Sequence, residues 1–188
     1  MYRNNKQRIY SLFIKGLGRE EVIQLLERLT GRRQHQFKDW HLVYAPPASS
    51  DSDSALKISL IDAPDMGIKR PVTSRLYLQS RVLSGNVFEF LEELDYVFHF
   101  EYVIQGVQFV YGNCILILFQ TLRPLKKHLL EDLVQVDLSG VWILQASVYI
   151  EDASDQALMT QATDELAQIR KILNGICHLE PVTDNRLR

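Results

Sequence analysis

The side chains able to do chemistry in this sequence are few and scattered. Five histidines, His35, His41, His99, His128 and His178, could each ligate a metal or move a proton near neutral pH. No two of them stand at His-x-His or His-x-x-x-His spacing, which would place both rings on one face of a strand or helix. His99 and Glu101 alternate onto one face of an extended segment and could share a pocket; the competing reading is a hydrogen-bonded interior pair. The carboxylate pairs Glu20-Glu21, Glu92-Glu93 and Glu131-Asp132 fall on segments that read as helices, where adjacent residues do not face each other. Cys114 and Cys177 form no Cys-x-x-Cys pair, and two thiols cannot build a zinc site without histidine or carboxylate help. Gly16-Leu17-Gly18 lacks the third glycine and the Lys-Ser/Thr of a phosphate loop, so it reads as a turn. Ser139-Gly140 is not embedded in the Gly-x-Ser-x-Gly elbow of a hydrolase. The expectation is a chain with no catalytic centre, no cofactor and no metal.

Composition narrows the classes further. A chain of 188 residues with 46% apolar side chains can bury a full core. It is expected to form one domain over 1–188, with a variable loop region at 46–74 rich in Pro, Ser and Asp. The 21 basic and 23 acidic residues nearly cancel, which argues against direct nucleic-acid binding, since that needs a net basic face. The N-terminal MYRNNKQRIY lacks the apolar core of a secretory signal. Together with the sparse cysteines it predicts a reducing compartment, with both thiols free and buried.

The elements that must position these residues are mostly strands. The run HFEYVIQGVQFVYGNCILILFQ at 99–120 is long and apolar enough to tempt a membrane reading. Glu101, Gln105, Gln108 and Asn113 interrupt it, and a carboxylate inside a bilayer costs on the order of 3 kcal/mol. Its β-branched and aromatic residues favour a strand, and Gly106 and Gly112 weaken a helix. Alternation puts Phe98, Phe100, Tyr102 and Ile104 on one face, and His99, Glu101, Val103 and Gln105 on the other. Gly112-Asn113 predicts a hairpin turn, and Gly106 a bulge or bend. Further strands are expected over 7–15, 37–44, 56–61, 74–83, 140–150 and 176–180.

Helices are expected over 19–30, from Asn86 onward with Val87, Phe90, Leu91 and Leu94 buried, and over 154–173 with Leu158, Ala162, Leu166, Ile169 and Leu173 buried. The stretch 124–138 fits a helix on Leu125, Leu129 and Leu133, with Pro124 near its start. Strands follow strands without alternating helices, so the fold class is α+β with a mostly antiparallel sheet. Closure into a β-barrel with flanking helices would remove exposed edges.

The hairpin also carries a resemblance. Glu101-Tyr102-Val103, Gly106, Phe109, Gly112 and Ile115–Phe119 resemble the central hairpin of the Mediator complex subunit 18 family. The preceding Phe88–Leu94, and Leu173, His178-Leu179-Glu180 and Arg186-Leu187 near the end, fit the same family; the strand–Gly16–helix order fits more loosely. The resemblance covers most of 8–45 and 75–188 and is weak across 46–74. It implies a noncatalytic subunit of the Mediator head module, nuclear, coregulating RNA polymerase II transcription. It implies a helix-flanked β-barrel that pairs with Mediator subunit 20, of related fold, and docks on a C-terminal helix of Mediator subunit 8. That barrel is similar to the tunnel-type triphosphatases, whose strands carry Glu-x-Glu pairs for a metal; no strand expected here has one. The residues expected to be exposed for partner binding are Trp40, Tyr44, Phe109 and Tyr111, against a competing reading of ordinary packing. The alternative function is a tunnel enzyme or a carrier of a small phosphorylated ligand, with Glu101, Gln105, Gln79 and Arg81 lining the interior.

Overall fold

The computed structural model describes residues 2–11, 18–45, 57–61, 71–152 and 154–181, with side chains described outside 2–11, Tyr44 and Ala45. In chain order the elements are β1 (Tyr2–Ser11), α1 (Arg19–Thr30), β2 (His35–Ala45), β3 (Lys57–Ile61), β4 (Thr73–Arg81) and α2 (Val87–Glu93). There follow β5 (Val97–Tyr111), β6 (Cys114–Pro124), β7 (Leu133–Gln135), β8 (Ile143–Ile150) and α3 (Gln156–Ile172). The strands form one sheet in the order β2-β5-β6-β8-β1-β4-β3, with β7 alongside β6. All the strand pairings are antiparallel. The barrel-like antiparallel sheet with flanking helices is present as a half-barrel; among the described residues β2 and β3, at its two ends, each pair on one side only.

Directly paired residues share a face. Val107↔Leu118, Phe109↔Leu116, Leu118↔Leu144 and Leu116↔Ala146 therefore define one face across the middle of the sheet. Against it lie Val22, Ile23 and Leu26 of α1 and Ala162, Leu166 and Ile169 of α3, followed by Leu173; together they make the core. Caps fix the ends of these helices. The Gly18 N–H donates to Glu21 Oε2 at 2.8 Å, and Gly31, at φ 63°, ends α1 in a conformation that glycine adopts without strain. Asp155 caps α3 by accepting from the Ala157 and Leu158 amides at 2.8 and 3.2 Å.

Five expectations need correction. Residues 124–138 do not form a helix. Strand β6 runs on through Pro124, and the ladder Leu122↔Gln135, Arg123↔Val134, Pro124↔Leu133 engages the backbone there, with the Leu125 N–H donating to Asp132 O at 3.0 Å. On α2 the buried residues are Val87 and Phe88, while Phe90 and Leu94 face solvent. Leu158 in the first turn of α3 is exposed, and 176–180 makes only isolated bridges. The irregularity in β5 is not at Gly106, where register is continuous with both neighbours. It lies at His99: Val43 pairs with Phe100 and Tyr44 with Phe98, so one residue of β5 is extra.

Gly106 serves instead for close approach. A β-carbon there would lie 2.7 Å from Phe119 Cα and closer still to the Leu118 carbonyl oxygen, both main-chain atoms that cannot swing aside. Gly106→Ala is expected to lower stability by about 2–3 kcal/mol, the cost of overpacking a fixed backbone, as measured by urea denaturation.

The hairpin turn between β5 and β6 is tied to α3. Glu165 Oε1 accepts from Asn113 Nδ2 and from Gln161 Nε2, each at 2.9 Å. Beside it, burial and the Glu165 charge push the Cys114 thiol up to about 11. Above the ordinary value of 9.0 the unfolded chain sheds a proton that the folded chain retains, so stability falls as pH rises from 9.0 to about 11. Cys114→Val should lose less stability than the wild type across that window in urea titrations.

Candidate partner-docking site

The most elaborate side-chain arrangement centres on Glu101. Its side chain is 7% exposed, and a buried carboxylate is costly unless its oxygens are satisfied. Trp40 Nε1, from β2, donates to Oε2 at 3.0 Å. The His128 main-chain N–H, from the loop after β6, donates to Oε1 at 2.7 Å, and His128 Nδ1 lies 3.3 Å from Oε2. One carboxylate thus joins β2, β5 and the 125–132 loop. His128 adopts φ 61°, a left-handed conformation uncommon for a residue with a β-carbon, and its bond to Glu101 holds it there.

The bulge at His99 completes this arrangement. By simple alternation Phe98 would share a face with Phe100. The extra residue instead puts Phe98 on the face of Leu42 and Glu101, and its ring meets the His128 ring edge-on at 4.9 Å. Lys127 Nζ lies 4.2 Å from the centre of the Phe98 ring, a cation–π contact. The histidine that partners Glu101 is therefore His128 and not His99, which is exposed with its ring against Phe100.

Held from beneath, the loop shows its leucines to water. Leu125, Leu129 and Leu130 are 61%, 46% and 37% exposed, and Val136 and Leu138 continue the series beyond β7. Five large apolar side chains exposed within 125–138 are more than scattered surface leucines account for. A hollow of about 210 Å³ beside this segment is lined by Gln120, Thr121, Gln135, Val136, Asp137, Val141 and Ile143. Two of these lining residues are joined: Gln135 Nε2 donates to Gln120 Oε1 at 3.2 Å.

The structure does not gather the four aromatics expected at a partner surface. Phe109 is 2% exposed and belongs to the core, because its face of β5 lies under the helices. Tyr111 packs partly buried against the same core. Trp40 is half-buried with its N–H committed to Glu101. Tyr44 lies in β2 just past the bulge, and its side chain is outside the described residues. Trp40 pairs with Val103, so it stands eight residues along β5 from Tyr111, roughly 27 Å at about 3.4 Å per residue. The exposed leucines were missed because they read as a helical stripe; their lack of polar alternation was the available signal.

The proposed interior lining is likewise divided. Following the register from β5 through β6, β8 and β1 to β4 puts Glu101 and Gln105 on the helix-bearing face and Gln79 and Arg81 on the opposite one. Gln79 donates to the Tyr77 hydroxyl at 2.8 Å and to Ser59 Oγ at 3.1 Å. Among the described residues no group of three or more His, Cys, Asp or Glu could hold a metal ion, and no helix is long and apolar enough to cross a membrane.

The half-barrel belongs to a known architectural class. A chain in the structure of the Schizosaccharomyces pombe Mediator head module matches it with a TM-score of 0.82, over 95% of this chain and 98% of that one, at 20% identity. At that identity the match shows a shared fold. A family model described as Med18 protein matches residues 48–186. Mediator of RNA polymerase II transcription subunit 18 from Coccidioides immitis is 31% identical over 140 residues, covering 69% of this chain and 52% of the relative. Its counterpart from Schizosaccharomyces pombe is 29% identical over 105 residues, covering 55% and 51%. The chain belongs to the Med18 family. It spans about half the length of the curated relatives it matches. The family match runs through 48–74, where the residue-by-residue resemblance is weak, and leaves out 8–45.

Removing the Glu101 carboxylate strands the Trp40 and His128 donors in a half-buried site. Glu101→Ala is expected to cost about 2–4 kcal/mol, from two unsatisfied donors at about 1–3 kcal/mol each with partial rescue by water. Glu101→Gln, which keeps one acceptor oxygen, should cost less. Urea denaturation of both variants checks the order.

Proposed function

We propose that this chain is a noncatalytic interaction subunit of the Mediator head module, acting in the nucleus as a coregulator of RNA polymerase II transcription. In this proposal it forms a submodule with Mediator subunits 8 and 20, and reaches the polymerase machinery indirectly. Membership of the Med18 family supports it, since the named relatives are Mediator subunits. The single observation that carries an interaction role is the 125–138 segment, which exposes Leu125, Leu129 and Leu130 on a loop immobilised by Glu101. A preorganised apolar surface loses little entropy on binding, which favours docking of a partner helix by its apolar stripe.

A stable interface of this kind buries on the order of 1,200–2,000 Å². Co-expression with subunits 8 and 20 should yield a complex on size exclusion; elution of this chain alone at every salt concentration tested would refute the proposal. Within such a complex, replacing Leu125, Leu129 and Leu130 together by serine should weaken association by about 2 kcal/mol or more, the scale of an interface hot spot. Stability of the free chain should change by less than about 1 kcal/mol, because all three side chains already face water.

A further inference from the structure

We infer that the segment recognised by the 125–130 loop is a short amphipathic helix whose apolar stripe is flanked by carboxylates placed over Lys126 and Lys127. The inference rests on the docking role proposed above and adds the chemistry of the partner. Lys126 and Lys127 stand between Leu125 and Leu129, and both are exposed. Neither makes an ion pair with a carboxylate among the described residues. Glu101, largely buried beneath the loop, is held by the Trp40 and His128 N–H groups rather than by either lysine. Lys127 rests over the Phe98 ring, which attracts its ammonium without discharging it.

Apolar crest and cations without a direct ion pair therefore occupy the same few residues. A purely apolar partner would leave two ammonium groups at its edge partly dehydrated and unpaired, whereas a partner with carboxylates there pairs them. Glu131 and Asp132, exposed on the returning limb of the loop, repel carboxylates on that side. The partner's acidic residues are thus confined to one flank of its stripe, which also fixes the direction in which it lies.

The probe is a fluorescein-labelled synthetic helix of about four turns. It carries leucines at i, i+3, i+4 and i+7 and glutamates along one flank, and its mirror probe carries lysines in place of the glutamates. Fluorescence anisotropy with the whole chain should show the glutamate probe binding the wild type and weakening as salt rises. Lys126→Glu with Lys127→Glu should weaken it about tenfold or more, and the same pair changed to Gln by less. The lysine probe should show the reverse preference, binding the charge-reversed chain better than the wild type. Circular dichroism confirms that both double variants fold. Equal binding of the glutamate probe to wild type and charge-reversed chain, or tighter binding of the lysine probe to wild type, overturns the inference. So does failure of both probes to bind a chain that still co-elutes with subunits 8 and 20, an outcome that leaves the Mediator proposal standing.

Discussion

A carboxylate cannot be taken out of water cheaply, and the arrangement around Glu101 follows from that constraint. With its side chain almost wholly covered, each oxygen must find a donor, and the donors come from elements distant in sequence: an indole on β2 and a backbone amide on the 125–132 loop. Satisfying the charge therefore brings three parts of the chain to one point. It also explains how a residue with a β-carbon persists in a left-handed conformation at His128, since the strained backbone is the one that aims its amide at Glu101. The loop's underside is polar and committed, so its leucines have nowhere to turn but outward.

Much of the scaffold is legible in the sequence because it depends on local periodicity. The stripes of α1 and α3, the start of α2 at Asn86, and the Gly112-Asn113 turn each need only a few neighbouring residues to be recognised. The docking segment is not legible in that way. Leu125, Leu129 and Leu133 have helical spacing, yet whether they form a helix is decided by β6, which holds the backbone in a ladder through Pro124. Glu101 is recognisable as an interior polar group, but its partner is 27 residues away and no spacing rule connects the two. Trp40 and Phe109 were reasonable candidates for a surface because large aromatics serve interfaces and cores alike. Only the tertiary contacts show that one donates a hydrogen bond to Glu101 and the other lies beneath the helices.

The likeness to the Schizosaccharomyces pombe head-module chain is close in shape and distant in side chains. Such a combination is expected where apolar alternation, with volume approximately maintained, specifies a sheet and its covering helices. The tightest local requirements are then few. Gly106 is one, because no β-carbon fits between its neighbours' backbones. Glu165 is another, joining the hairpin turn to α3 through a single oxygen.

The extra residue at His99 divides β5 into two segments of opposite parity. Odd-numbered positions beyond it face the helices, while even-numbered Phe98 before it does so. Loss of that one residue would make the ladder continuous and leave Phe98 two positions from Glu101, on the same face as now. Straightening the strand with that residue kept would instead invert everything upstream, turning Phe98 away from His128 and leaving Lys127 without the ring it rests on. The bulge is thus what lets a strand with one residue more keep the same side of its end turned toward whatever binds there.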